Sequence, residues 1–178
     1  MKKNSLFAFP TETVYGIGCR FDDKASIKKI FTIKKRPQDK PLQILVSNLD
    51  QVKKLTKEIP ALAQDLIQKY WPGPLTILFF KSSLVPDFAT AGSEKVGLRM
   101  PNNKKVLELI EKIGPIAATS ANISNEPPLL TAQEVKKAFP ELDLIFEGKI
   151  KIGQASTVVD ATGKRLIILR NGPIKIDF

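Results

Sequence analysis

The chain has 178 residues, 43% apolar and 26% charged, a length and balance that suit one water-soluble domain with its own core. It has no histidine and one cysteine, Cys19, which excludes Ser-His-Asp and Cys-His nucleophiles, His-ligated metals, Cys-rich zinc sites and a disulfide scaffold, and fits a reducing, cytoplasmic setting. Lysine and arginine number 28 against 18 aspartates and glutamates, a net charge of +10 that points to polyanionic partners, so catalysis must rest on Lys, Arg, carboxylates, hydroxyls and backbone dipoles.

Lys2-Lys3 ahead of an apolar run imitates a secretory leader, but the run is too short and meets Pro10, so Leu6 to Phe9 reads as a short buried strand. Asp22-Asp23 caps a helix with Ile27, Ile30 and Phe31 on one face, stopped at Pro37. Leu42 to Val46 reads as a strand. Asn48 opens a helix with Leu49, Val52 and Leu55 inward, and Pro60 starts another with Ala63, Leu66, Ile67 and Tyr70. Trp71-Pro72-Gly73-Pro74 turns into the strand Leu75 to Phe80, and this longest kind of apolar run is strand-sized, so no segment reads as a membrane span. Val96 to Met100 is a strand, Asn103 to Ile113 a helix and Ile116 to Thr119 a strand. Thr131 and Glu134 spell a capping box for a helix through Ala138. Strands follow at Leu144 to Phe146, Ser156 to Asp160 and Leu166 to Leu169. The alternation predicts an α/β fold with a twisted, mixed sheet, and the strand-rich final third argues against a purely parallel doubly wound one.

The chain has no GxxxxGK[ST] loop, and Gly16-Ile17-Gly18 lacks the third glycine of a dinucleotide fingerprint. A bound nucleotide must therefore be held by cationic side chains and hydroxyls. Four polar clusters interrupt apolar segments. Pro10-Thr11-Glu12-Thr13-Val14-Tyr15-Gly16 offers hydroxyls where a buried strand ends. In Lys34-Lys35-Arg36-Pro37-Gln38-Asp39-Lys40-Pro41-Leu42, four cations crowd into seven residues with a proline-stiffened backbone; a helix end accounts for some of this, and a polyphosphate would satisfy all of it. Ala117-Ala118-Thr119-Ser120-Ala121-Asn122-Ile123-Ser124 pairs small residues with hydroxyls and permits close backbone approach to a ligand. The last is Ser156-Thr157-Val158-Val159-Asp160 with Arg170-Asn171-Gly172, where Arg170 sits at a strand's end. Each cluster taken singly also fits an ordinary turn or strand end. The lysine excess also fits a lysine-rich proteome, so Arg36, Arg99, Arg165 and Arg170 are the more informative cations.

Together the stretches PTETVYGIG, IKKRPQDKPL, WPGPLT, VGLRMP, ATSANIS, STVVD and ILRNG, in this order over nearly the whole chain, resemble the YrdC-like family of threonylcarbamoyl-AMP synthases. The resemblance implies one domain over 1–178, an open twisted sheet around a concave basic cavity, and a nucleotidyltransferase that joins L-threonine, bicarbonate and ATP into threonylcarbamoyl-adenylate and pyrophosphate. It implies that Lys34 and Arg36 hold the triphosphate as catalytic residues, with Lys40, Ser120, Asn122 and Arg170 on the nucleotide side. Thr13, Arg99 and Ser156 hold threonine, Arg99 on its carboxylate, with Tyr15 as a wall. Mg²⁺ accompanies ATP on phosphates and water rather than on protein ligands. A tRNA threonylcarbamoyl-transferase complex is the implied partner and RNA a further one.

The chain departs from the family pattern at several positions. Lys40 stands for an Asn, Leu45 for a His, Lys95 for a Thr, and Ser124-Asn125 for a Ser-Gly. With only five residues before Leu6, the family's leading helix is expected to be nearly absent, and with no counterpart of the longer relatives' C-terminal domain the resemblance implies a short form whose unstable product is delivered through partner proteins. Two other readings stay open. One is a non-catalytic RNA-binding module on the same basic concavity, although aromatics are only 7% of residues and no RRM or KH motif is present. The other is a carbamoyl-transfer relative acting on another acceptor.

Overall fold

The computed structural model describes residues 4–176; Lys2 and Lys3 lie outside them. In chain order the elements are β1 (Phe7–Pro10), β2 (Tyr15–Arg20), α1 (Lys24–Ile33), β3 (Gln43–Leu45), α2 (Leu49–Leu55), α3 (Ala61–Tyr70) and β4 (Leu75–Phe80). They continue with a 3-10 turn at Asp87–Ala89, β5 (Lys95–Arg99), α4 (Lys104–Ile113), β6 (Ile116–Ser120), α5 (Ala132–Ala138), β7 (Leu144–Ile145), β8 (Thr157–Asp160) and β9 (Ile167–Arg170). The strands form one mixed sheet in the order β7-β1-β2-β6-β3-β5-β4-β8-β9, with parallel pairs β1/β7, β3/β5 and β4/β8 among antiparallel ones. The expected twisted mixed sheet is the observed one.

The helix starts follow from capping chemistry. Asp23, Asn48 and Asn103 each accept from a backbone N–H in the first turn, at Ser26, Gln51 and Val106. Thr131 and Glu134 form the reciprocal capping box. Pro37 does not stop α1, which ends four residues earlier. Lys35 takes a left-handed φ of 50°, and Arg36 N–H donates to Phe31 O while Lys35 N–H donates to Thr32 O. This closes a Schellman motif with a lysine where glycine is favoured. Leu49, expected inward, is 44% exposed, because as the first residue of α2 it lies past the apolar cluster that takes Val52 and Leu55. The reading also missed β2. Thr11 to Val14 make a tight turn, with Thr11 N–H donating to Val14 O, and the glycine-interrupted Tyr15–Arg20 returns antiparallel to β1.

The two faces of the sheet are covered unequally. Helices α2 and α3 pack on one side of β3, β4, β5 and β8 through Val52, Leu55, Ala63, Leu66 and Ile67. On the same side of β1, β2 and β6, α1 contributes Ile27, Ile30 and Phe31, and α5 contributes Val135. Among the described helices α4 alone covers the opposite face, where its Val106 and Ile110 pack on Phe7, Phe9, Leu45 and Ile116, with Phe146 beside them. Asn103 fixes where α4 starts by donating from Nδ2 to Pro10 O. Under α4, strand β2 carries glycine because β6 comes close. A Cβ on Gly18 would lie 2.7 Å from Ile116 Cγ2 and 2.9 Å from Ala117 O. Gly18→Ala is therefore expected to destabilise the protein by about 1–3 kcal/mol, the usual cost of overpacking, read as a lowered denaturant midpoint at unchanged slope.

Candidate functional site

Where α4 ends, the sheet face lies open, and a cavity of about 230 Å³ occupies it. Its floor shows the period of two expected of one sheet face. Lys95, Gly97 and Arg99 come from β5, Thr76 and Leu78 from β4, Ala118 and Ser120 from β6, and Gln43 from β3. Ser156, Val158 and Arg170 close the far side, and Thr13, Arg36 and Pro41 enter from loops.

At the end next to α4 lies Arg99, whose side chain is 3% exposed. A buried guanidinium needs partners. Nε donates to Gly73 O at 3.1 Å, and Nη2 donates to Glu12 Oε1 at 2.7 Å and Thr13 Oγ1 at 2.9 Å. The other oxygen of Glu12 accepts from Asn102 N–H. Burial pulls Arg99 below its ordinary pKa and Glu12 acts against that. Nη1 takes no hydrogen-bond partner among the described residues. Every fully buried side-chain nitrogen and oxygen there is satisfied, so Nη1 faces the cavity.

Two further guanidiniums are built alike. Arg36 donates from Nε to Lys40 O and from Nη2 to Pro41 O, clipping its own loop. Arg170 donates from Nε to Ser156 O and from Nη2 to Ser156 Oγ. Both keep Nη1 free of hydrogen-bond partners among the described residues. The three feel one another. Burial lowers the pKa of Arg170, and the charges of Arg99 and Arg36 lower it further. A polyanion placed among them would relieve this repulsion and find three preoriented N–H donors.

Lys34 stands behind the wall rather than in it. The Schellman turn swings its side chain inward, where it is 1% exposed. Its ammonium donates to Ser120 O at 2.6 Å, to Asn122 O, and to Asn122 Oδ1 at 3.3 Å. Ser120 Oγ donates to the same Asn122 Oδ1. Burial, and then the charge of Arg36, lower the Lys34 pKa to about 7. Lys34 thus ties the end of α1 to the loop after β6, and Ser120 enters the cavity as the exposed end of that tie.

The structure brings together Thr13, Arg36, Arg99, Ser120, Ser156 and Arg170 around one cavity. Lys34, Lys40, Asn122 and Tyr15 do not line it. Lys40 is exposed beside it. The Tyr15 hydroxyl donates to Gly148 O and accepts from Gly148 N–H, so it holds the 147–153 segment and borders a second cavity beyond it. Leu45 lies in the apolar cluster under α4, away from the opening. Lys95 donates to Asp160 Oδ2 at 2.6 Å on the cavity wall. Sequence reasoning gave no role to Glu12, Gln43 and Thr76. The alternation Lys95-Val96-Gly97-Leu98-Arg99 is a signal that one face of that strand is not core, and Glu12 is a carboxylate inside a motif already singled out.

Comparison with known proteins gives concordant results. The family profile Sua5/YciO/YrdC, described as telomere recombination, matches residues 1–172. The chain is 42% identical to a threonylcarbamoyl-AMP synthase of Pyrococcus abyssi over 99% of its own length and 53% of that protein. It is 37% identical to a protein of the same name from Bacillus subtilis, over 98% of its own length and 51% of that protein. The crystal structure of P. abyssi Sua5 complexed with L-threonine superposes at a TM-score of 0.91 with 44% identity, covering 95% of this chain and 51% of that one. The chain thus spans about half the length of the curated relatives it matches first.

The place of Lys34 behind the wall makes a prediction about folding. Lys34→Met strands the Ser120 and Asn122 carbonyls and should cost about 2–4 kcal/mol of stability in addition to any loss of activity. The variant's melting temperature checks it, and a melting temperature equal to that of the wild type would contradict the tie.

Proposed function

The chain belongs to the Sua5/YciO/YrdC family, and from that premise we propose that it condenses L-threonine, bicarbonate and MgATP into L-threonylcarbamoyladenylate and pyrophosphate, as a nucleotidyltransferase. The observation that carries the reading is the convergence of Arg36, Arg99 and Arg170 on one hydroxyl-lined cavity, each with Nη1 free of hydrogen-bond partners among the described residues. The P. abyssi protein held L-threonine, which supports an amino-acid subsite here.

In the first step the threonine ammonium gives up a proton, the free amine attacks the bicarbonate carbon, water leaves, and a carbamate forms. In the second, a carbamate oxygen attacks the α-phosphorus, its P–O bond forms, the bridging P–O bond to the β-phosphate breaks, and pyrophosphate leaves. This chemistry needs in-line placement and charge neutralisation more than proton shuttling, which suits a site without histidine. Arg99 Nη1 takes the threonine carboxylate, beside Thr13 and Ser156. Arg36 and Arg170 take phosphate oxygens, and exposed Lys40 adds charge. Ser120 and Asn122 shape the nucleotide side, with Lys34 as the residue that positions them. Tyr15 acts through the segment it holds. Mg²⁺ comes with ATP, held by phosphates and water; no cluster of three or more Asp, Glu, Cys or His able to hold a metal exists among the described residues.

The same reading treats residues 1–178 as one domain, which the single sheet supports. It makes a tRNA-modifying transferase complex the consumer of the product, in the cytoplasm where tRNA is modified. The net charge of +10 supports RNA as a further partner. No helix among the described residues is long and apolar enough to cross a membrane.

Pyrophosphate release from ATP, with bicarbonate and Mg²⁺, should depend on L-threonine and fall sharply with L-serine; release indifferent to threonine, or none, would overturn the reading. Arg99→Lys keeps a cation for Glu12 but loses the guanidinium fork, so the KM for threonine should rise about tenfold or more while that for ATP stays within about twofold. An equal rise in both KM values would remove Arg99 from the carboxylate. Arg99→Ala is the poorer probe, since stranding buried Glu12 would cost about 3–5 kcal/mol of stability.

A further inference from the structure

The assignments above leave the one-carbon acid without a contact. We propose that the side-chain amide of Gln43, over the bare floor made by Gly97 and Ala118, is the subsite that binds the carboxylate of bicarbonate; this rests on the threonine, bicarbonate and ATP reading.

Position is the first argument. Gln43 pairs across the sheet with Ala118, and Gly97 pairs with Leu78. A Cβ placed on Gly97 would lie 4.0 Å from Gln43 Cβ and 3.2 Å from Thr76 Cγ2. The immediate neighbours of Gln43 along this row, Ala118 and Gly97, project a methyl group or nothing. It also lies midway. Pro41, whose carbonyl holds Arg36, is two residues before Gln43, just ahead of β3, and Arg99 is two residues beyond Gly97 on β5. Within the strand two residues rise about 7 Å. The group that must sit between an amino-acid carboxylate and a phosphorus in the product is the carbamoyl carbon.

Orientation is the second argument. Thr76 Oγ1 donates its one proton to Gln43 Oε1 at 2.8 Å. The contact of 2.9 Å between Thr76 Oγ1 and Ser156 Oγ must then be donated by Ser156, which in turn accepts from Arg170 Nη2 at 3.1 Å. The chain of donors runs from Arg170 through Ser156 and Thr76 to Gln43 and consumes the amide oxygen. The Nε2 end is left without a hydrogen-bond partner among the described residues on a side chain that lines the cavity. Two N–H donors on an uncharged group suit an anionic oxygen that must bind and then react. The Arg170 cation at the head of the chain polarises each bond after it.

The test measures pyrophosphate release by the full chain while bicarbonate, threonine and ATP are varied in turn. Gln43→Leu removes the donors. Gln43→Glu keeps an acceptor for Thr76 but turns a carboxylate toward the acid, and its melting temperature checks that the fold persists. The KM for bicarbonate should rise about tenfold in the leucine variant and further in the glutamate variant, with those for threonine and ATP within about twofold. An unchanged bicarbonate KM in both variants, or an equal rise for all three substrates, would overturn the subsite alone. Wild-type release that ignores bicarbonate would overturn the functional reading, and the subsite with it.

Discussion

A sheet has two faces to bury, and four of the five α-helices among the described residues lie on one of them. Helix α4 is left to cover the other face, and it is 10 residues long, about 15 Å. It reaches the half under β1, β6 and the end of β3 and leaves the half made by β5, β4 and β8 without a partner. An uncovered sheet face cannot be built of core residues alone, and lysine, glycine, arginine, threonine and serine stand there beside Leu78 and Val158. The cavity is the consequence of that unequal cover.

The second constraint is the cost of keeping cations in such a place. Arg99 is 3% exposed and is tolerable there because Glu12, Thr13 and Gly73 consume two of its nitrogens. Glu12 extends the arrangement in both directions. Its second oxygen fixes Asn102 ahead of α4, and its backbone carbonyl accepts from Lys151 and Ile152. One buried residue therefore orients the guanidinium and the start of α4 through its carboxylate and the 151–152 backbone through its own carbonyl. Lys34 does the same on the opposite wall, spending its ammonium on the loop that presents Ser120. In both cases a charge serves the site by holding backbone.

Much of this was legible in the residues. Capping chemistry located Asp23, Asn48 and Thr131 because a side-chain acceptor a few residues before an apolar face is a local signal. The cavity arginines and hydroxyls stood out because polar groups interrupt strand-sized apolar runs. Strand β2 was not legible, since its glycines serve close approach of β6 and Phe9, a demand set by residues about 100 positions away or across a turn. The end of α1 misled for a related reason. Pro37 is a visible stop, whereas a lysine adopting φ 50° is dictated by where Lys34 must go.

The chain by itself determined an α/β fold, a cationic site without histidine chemistry, and the candidate residues, because composition and local periodicity act over a few positions at a time. Tertiary structure decided which cations face the cavity and which stand behind it. Arg36, Arg99 and Arg170 keep Nη1 without a hydrogen-bond partner among the described residues, while Lys34 is buried on carbonyls and Tyr15 is turned to Gly148. It also decided that Gln43, unremarkable in its own segment, stands between Ala118 and Gly97 at the centre of the floor. The physical reason is that the orientation of a polar side chain is set by the hydrogen bonds its neighbours can offer, and those neighbours come from strands far apart in the chain.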